Sequence, residues 1–188
     1  MRNFIVGVVA TLVALALVAL AAIEFGLVPS NADAKPSGLE RWAATTALKR
    51  AIAHDENSLH PPAALANGDL VQGVKLYAAN CAFCHGASDG KASVSAQGFY
   101  IEAPQLATDG VEDDPASVTF WKLKHGIRFT AMPAFGDRLD DDQLWKITAF
   151  VKAMDKLPEP VQAEWKRVPS ALAAAAAPAA SPNAAASP

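Results

Sequence analysis

The strongest pattern along the chain is an uncharged apolar stretch near the N-terminus, from Phe4 to Ile23. At about 1.5 Å of rise per residue, a helix of this length spans roughly 30 Å, the thickness of a bilayer's hydrocarbon core. Arg2 precedes the stretch and Glu24 follows it, so the positive-inside tendency leaves the N-terminus in the cytoplasm. Residues 1–28 are therefore predicted to form a single-pass inner-membrane anchor, with the rest of the chain in the periplasm.

A cleaved signal peptide is the alternative interpretation of the same stretch. Ala32-Asp33-Ala34, just before Lys35, has the small-x-small form of a cleavage site. The apolar stretch is longer than the roughly 7–15 residues of most signal peptides, which favours the anchor. Export to the periplasm follows from either interpretation.

Residues 29–65 are predicted to be a linker that contains one amphipathic helix. The helix runs from Leu39 to about His54, with Ser37 as a possible N-cap. Leu39, Trp42, Leu48 and Ile52 give it a loose apolar face. That face could pack against the following domain or contact a partner in the membrane, and the sequence leaves both open.

Residues 66–157 carry the helical pattern of one small all-α domain. Its predicted helices run from Asp69 to Ala79, from Ser117 to Lys124 and from Asp140 to Met154. The second starts at Asp114-Pro115, with the carboxylate as N-cap and the proline in the first turn, and stops at Gly126. The third has Gln143 in the capping-box position. Between the first two, Gly86 to Asp114 is predicted to be loop with short turns.

Beyond Pro158 the helical pattern fades. From Ala171 the chain contains only Ala, Pro, Ser, Asn and one Leu, a composition that buries too little surface to fold. Residues 158–188 are therefore predicted to be a disordered tail rich in Ala and Pro.

Composition and charge narrow the possible functions. Hydrophobic residues make up 52% of the chain but aromatic residues only 7%. Much of the hydrophobic fraction is alanine and the N-terminal stretch, so the core is smaller than the percentage suggests. The formal net charge is -3. Nucleic-acid binding needs a basic surface that displaces counterions from phosphates, so it is excluded as a function.

The chemistry is concentrated in Cys81-Ala82-Phe83-Cys84-His85. C-x-x-C-H is the attachment signature of c-type haem, because its two thiols reach the vinyl groups of one porphyrin edge while the imidazole coordinates iron. A thioredoxin-like dithiol would require a βαβ environment, and zinc would require four ligands. The motif predicts one covalent haem c, held by Cys81 and Cys84 and ligated by His85.

A second axial ligand is expected from the other side of the haem, and Met132 is the best candidate. It is predicted to lie in a loop between two helices, where Pro133 stiffens the backbone that presents the sulfur. Met154 is predicted to lie on the buried face of a helix and not in a loop, so it is the weaker candidate. His125 is the next candidate, although it could simply interact with the helix dipole.

These residues resemble a known family, the class I c-type cytochromes. The matching positions run in the family's order through Gly73 and Tyr77, Cys81-x-x-Cys84-His85-Gly86, Ala103-Pro104-x-Leu106, Met132-Pro133, and Ile147 with Phe150. The resemblance implies a small all-helical domain of several short helices around one haem, in which the first and last helices cross. Gly73 would permit the close approach, with Tyr77 and Phe150 packed across the crossing.

The resemblance also implies roles for two further residues. The Pro104 carbonyl would accept a hydrogen bond from the imidazole of His85 and so orient that ligand. The segment around Arg128, taken with the predicted anchor, is similar to membrane-attached monohaem cytochromes of Gram-negative respiratory bacteria. Arg128 could meet a haem propionate or remain solvated.

The function predicted from these features is electron transfer rather than enzymatic catalysis. The chain would be a tethered carrier whose redox partners are membrane respiratory complexes or dehydrogenases, with the N-terminal helix in the membrane. A permanently bound haem subunit of a dehydrogenase or oxidase is a second possibility. A haem sensor or peroxidase-like cytochrome with an open distal site is a third, against which Met132 argues.

Overall fold

A computed structural model describes residues 1–62, 67–110 and 113–171 of the chain, and these residues are all-helical. The chain divides into two compact units, Met1–Lys35 and Pro36–Pro188. The first unit contains α1, Arg2–Glu24, whose side chains are largely exposed. By length and composition α1 is the one candidate membrane span among the described residues, a test that a signal sequence also passes.

The second unit contains the remaining helices, which vary widely in length. In chain order they are α2 Gly38–Asp55, α3 Asn67–Asn80, α4 Ala82–His85, α5 Val94–Gln97, α6 Ala116–His125, α7 Asp141–Lys152 and α8 Glu159–Trp165. The prediction of an all-helical domain preceded by one apolar helix is confirmed. Within the stretch predicted as loop between residues 86 and 114, the described residues form turns and the single helical turn of α5.

The helices α3 and α7 cross at Gly73. A Cβ atom at this position would lie 2.9 Å from the Cβ of Phe150, so only glycine permits this approach. Next to the crossing, Tyr77 and Phe150 are fully buried and their rings meet edge to face with centroids 5.4 Å apart. The crossing implied by the family resemblance is therefore present.

A second group of contacts joins α6 to α7. Phe120 of α6 is buried, and its ring stacks on that of Trp145 with centroids 4.1 Å apart. On α7, Leu144, Ile147 and Val151 face the core, as their spacing predicts. Apolar burial of this kind is the main favourable term in folding, and it fixes α6 and the loop that follows it.

The helix α2 has the N-terminal capping box expected at Ser37, with Glu40 as the reciprocal partner. At its C-terminal end Ile52 is buried, and the Asp55 carboxylate accepts a hydrogen bond from Nε1 of Trp121, 2.9 Å away. Leu39 and Trp42 are exposed, so only the C-terminal part of the predicted apolar face is covered. Of the two alternatives left open, packing against the domain is observed for this end of α2.

Two predicted helix starts differ from the structure. The helix α3 begins at Asn67, two residues before the predicted start at Asp69. The N-cap of α6 is Pro115 rather than Asp114, because Asp114 instead pairs with Lys122 across 2.8 Å. Asp140 and Gln143 do form the capping box expected at the start of α7.

The helix α8 was not anticipated and lies within the segment predicted to be a disordered tail. It packs against α3 and buries Val161 and Trp165. Seven residues with two apolar positions one turn apart give too weak a periodic signal to predict a helix. Residues 172–188, which hold the rest of the predicted tail, lie outside the described residues.

Candidate functional site

A cavity of about 420 Å³ lies inside the second unit and is lined mainly by apolar side chains. Five of the six residues predicted to bind or position the haem line it: Cys81, Cys84, His85, Pro104 and Met132. They come from the turn after α3, the loop before α6 and the loop after α6. The fold therefore brings into one cavity residues that are widely separated along the chain.

The helix α4 is a single turn that contains Cys84 and His85 and has Cys81 as its N-cap. The backbone amides of Cys84 and His85 donate to the carbonyl of Cys81 at 3.0 and 2.9 Å. The turn ends at Gly86, whose φ of +76° lies in the left-handed region that favours glycine. Side chains three and four positions apart share a helix face, so Cys81, Cys84 and His85 point toward the same side.

The two thiols are unsuited to redox exchange. Burial, reinforced by the charge of Cys84, raises the pKa of Cys81 to about 12, and burial also raises the pKa of Cys84. Reactive dithiols have lowered pKa values, because the thiolate is the nucleophile. Among the described residues no group of three or more His, Cys, Asp or Glu side chains could hold a metal ion, which argues against a zinc site there.

The orientation of His85 is fixed by its ring nitrogen Nδ1, which donates to the Pro104 carbonyl across 2.8 Å. A carbonyl oxygen can only accept, so the proton lies on Nδ1 and the other ring nitrogen, Nε2, keeps its lone pair for a metal. Burial lowers the pKa of His85, while the Pro104 hydrogen bond opposes this shift. The proton on Nδ1 and the lowered pKa of His85 both favour a neutral imidazole, which is the form that binds a metal.

Met132 is held in a compact loop between α6 and α7. The amide of Met132 donates to Oγ1 of Thr130 at 3.1 Å, and that hydroxyl donates to the carbonyl of Ile127 at 2.8 Å. The amide of Ile127 in turn donates to the carbonyl of Met132 at 3.1 Å. These bonds close the loop on itself, so the backbone that carries the sulfur is constrained on both sides.

Gly126 places this loop against the end of α6. Its φ is +66°, and a Cβ atom there would lie 2.6 Å from the carbonyl carbon of Pro133 and 2.8 Å from the carbonyl oxygen of Met132. Phe129 also has a positive φ, +61°, although it is not glycine, and its side chain is 87% exposed. The chain therefore accepts backbone strain at the turn that leads to Met132.

Two basic side chains line the cavity, and Arg128 is not one of them. Arg128 is exposed and is not among the residues that line it, whereas Arg138 and Lys122 are. His125, the other candidate ligand, is likewise outside the lining, and its ring lies 4.9 Å from that of Trp121.

One polar atom in the lining lacks a partner. Oγ1 of Thr119 is buried and has no hydrogen-bond partner within the described residues. A buried hydroxyl without a partner is costly unless a bound group or water completes it. A largely apolar cavity with thiols and an imidazole at one wall, a thioether in its lining and a few polar groups fits a haem.

Sequence reasoning did not identify Thr119, Lys122 or Arg138 as parts of the site. Thr119 and Leu123 are four residues apart on a predicted helix, so their shared inner face was the available signal. Arg138 offered none, because its place in the lining depends on how the loop after Met132 folds back.

Comparison with known proteins agrees with this geometry. Residues 68–151 match the family described as cytochrome c oxidase, cbb3-type, subunit III. The chain is 36% identical over 90 residues to cytochrome c6 of Thermosynechococcus vestitus, covering 48% of this chain and 73% of that protein. It is 32% identical over 83 residues to cytochrome c6 of Parathermosynechococcus lividus, covering 44% and 87%. No solved structure gives a significant match.

The family match, residues 68–151, runs from α3 to α7, the part of the chain that surrounds the cavity. The C-x-x-C-H turn, the fold and the apolar cavity are all features that such a relationship requires. The chain belongs to the class I c-type cytochromes, carries covalently bound haem c and is an electron-transfer protein.

Proposed function

We propose that this chain is a membrane-tethered periplasmic monohaem cytochrome c. It passes single electrons between respiratory-chain complexes, or from a dehydrogenase to an oxidase. In this proposal Cys81 and Cys84 would attach the haem covalently, and His85 and Met132 would hold its iron. The observation that supports this proposal is that all four residues line one apolar cavity.

Haem supplies the one-electron chemistry, through iron that changes between ferric and ferrous states. The protein's own residues limit how much else changes. The Pro104 carbonyl fixes the His85 imidazole, and the Thr130 hydroxyl fixes the backbone of Met132. With both ligands held in place in a largely apolar cavity, little would need to reorganise at each transfer, and methionine ligation would raise the reduction potential.

The tether in this proposal is α1, which has the length and composition of a membrane span. Confinement near a bilayer raises the effective concentration of the haem domain around membrane complexes. The segment between α1 and α2 would set the reach of the domain, as a linker does. The periplasmic location is supported by the order of Arg2, the apolar helix and Glu24.

A permanently bound haem subunit is the second candidate function, and one observation favours it. The matching family description names a subunit of a cytochrome c oxidase. In that case the chain would remain in a larger complex instead of diffusing between complexes. The C-x-x-C-H turn and the methionine loop would serve the same electron transfer.

The axial ligands can be tested with a matched pair of methionine variants. Met132→Ala removes the proposed sulfur ligand, while Met154→Ala shortens a partly buried methionine outside the cavity lining. The first is expected to abolish the sulfur-to-iron absorption band, lower the midpoint potential and allow carbon monoxide to bind the reduced protein. The second is expected to leave all three unchanged. A Met132→Ala protein with an unaltered band would refute the ligand assignment.

The tether and the assembly need a separate experiment on the full chain expressed in a Gram-negative host. Haem-stained protein that resists carbonate washing and retains its N-terminus by mass spectrometry would support the anchor. A mature protein that starts at Lys35 would refute it. Size-exclusion chromatography after mild detergent extraction distinguishes a free carrier, eluting alone, from a subunit that elutes with an oxidase or dehydrogenase.

A further inference from the structure

The helix α8 ends in a tryptophan that packs against Tyr77, the residue whose hydroxyl reaches the haem-attachment turn. The Trp165 ring is 6% exposed and meets Tyr77 edge to face, with centroids 5.3 Å apart at 84°. It meets Phe150 in the same manner, at 5.1 Å and 67°. With the Tyr77–Phe150 contact, the three rings form a closed aromatic cluster in which each ring touches the other two.

The opposite end of Tyr77 reaches the attachment turn. Its hydroxyl donates to the carbonyl of Gly86 across 2.8 Å and lies 3.2 Å from the carbonyl of His85. Tyr77 is fully buried and lines the cavity. Burial raises the pKa of Tyr77 above its ordinary value, so the hydroxyl keeps its proton at any physiological pH and remains a donor.

Trp165 lies outside the part of the chain that matches the family, since that match ends at residue 151. We propose that Trp165 is a positioning residue of this cytochrome: it holds Tyr77 so that the tyrosine hydroxyl fixes the backbone of the haem-attachment turn at His85 and Gly86. The proposal rests on His85 as the iron ligand.

The physical reason is the shape of the cluster. Edge-to-face aromatic pairs are stabilised by their relative orientation as well as by the area that they bury. The contacts with Phe150 and Trp165 therefore favour one orientation of the Tyr77 ring. Removing the indole opens space beside Tyr77 into which its ring can tilt. Its hydroxyl then moves away from the Gly86 carbonyl, and the attachment turn loses a constraint.

A double-mutant cycle on the haem-loaded protein tests the coupling. Tyr77→Phe removes only the hydroxyl, and Trp165→Leu removes the ring contacts while keeping an apolar side chain. Each is expected to lower the midpoint potential, because a looser turn admits water, which favours the more highly charged ferric iron. The double variant is expected to match Tyr77→Phe alone, because Trp165 acts through that hydroxyl.

The control is Val161→Ala, at a fully buried position on the same helix. It is expected to lower the melting temperature while leaving the potential and the amide exchange of residues 81–86 unchanged. Trp165→Leu is expected to accelerate that exchange in the native protein. Trp165→Phe keeps an aromatic ring at the position and provides the same test if the leucine variant does not fold, with a smaller shift expected.

Two results would overturn the proposal. One is a Trp165 variant that behaves like Val161→Ala, with lower stability and an unchanged potential. The other is additive shifts from Tyr77 and Trp165, which would mean that the tryptophan acts by another route. Failure of haem to attach in the unmodified chain would instead refute the site itself, so the two failures are distinguishable.

Discussion

Nδ1 of His85 donates a hydrogen bond to the carbonyl of Pro104, 2.8 Å away and 19 residues further along the chain. This bond joins the attachment turn to the loop on the same side of the cavity. The amide of Leu106 adds a second link by donating to the carbonyl of His85 at 3.3 Å. The imidazole is thereby fixed from its far side, and Nε2 is left for iron.

The acceptor in this bond is a backbone carbonyl, so the proline ring itself should matter little to the iron. We expect Pro104→Ala to cost up to about 1 kcal/mol of unfolding free energy, because the unfolded chain gains freedom. The midpoint potential should change little, since the carbonyl remains. Potentiometry and thermal unfolding measure the two effects. A large change in potential with little loss of stability would show that the ring positions His85.

Gly126→Ala should displace the methionine loop. A left-handed non-glycine residue costs about 1 to 2 kcal/mol, and the added Cβ would also lie 2.6 Å from Pro133. We expect a larger loss of stability than the backbone term and a weakened sulfur-to-iron absorption band. Gly110→Ala is the matched control, because its φ is +68° and the described residues, apart from its chain neighbours, place no atom within 4 Å of the added Cβ. Equal effects on the absorption band would contradict the prediction.

Thr130 is expected to position Met132 through its hydroxyl, which accepts from the Met132 amide and donates to Ile127. Thr130→Val keeps the shape and removes both bonds, so it should cost about 1 to 3 kcal/mol and weaken the methionine–iron bond. Thr130→Ser retains the hydroxyl and should restore most of the absorption band and the potential. If serine and valine variants are equally impaired, the lost methyl packing is responsible instead.

Gly73→Ala should separate α3 from α7, because the added Cβ would lie 2.9 Å from the Cβ of Phe150 and overlap the Lys146 carbonyl. Overpacking of this kind costs about 1 to 3 kcal/mol or more. Gly68→Ala, in the first turn of the same helix and with no atom of the described residues within 4 Å of the added Cβ, should avoid this clash and stabilise the protein slightly through helix propensity. Denaturant unfolding of the two holoproteins gives the comparison, and equal stabilities would contradict the crossing geometry.

The contact between α2 and the domain should weaken in acid. The hydrogen bond from Trp121, followed by that from His54, lowers the pKa of Asp55 below its ordinary value. A lowered folded-state pKa means that the contribution is present above the unfolded value of about 3.9 and is lost as the pH falls through the folded value. The protection of α2 amides, measured as their exchange rate relative to that of the unfolded chain at the same pH, should therefore fall below about pH 4.

Variants of the same carboxylate separate its charge from its role as an acceptor. Asp55→Ala should accelerate exchange in the C-terminal half of α2 several-fold at neutral pH, and Asp55→Asn, which keeps an acceptor, should have a smaller effect. Glu56→Ala is the control at the next position. An acid response that persists unchanged in Asp55→Ala would assign the transition to another group.

Local rules predict a large part of this protein. The C-x-x-C-H spacing by itself indicates haem c, because two cysteines and a histidine this close together can make three bonds to one haem. The apolar run predicts α1, and the capping residues at Ser37 and Asp140 predict the starts of α2 and α7, since a cap acts on its own helix.

Tertiary structure decided what depends on distant partners. Arg138 lines the cavity while Arg128 does not, and α8 is helical because α3 provides a surface for Trp165. A short helix gains little from its own hydrogen bonds and is stabilised mainly by the apolar surface that it buries. The sequence of α8 alone could not reveal that surface, because it is formed by residues far away in the chain.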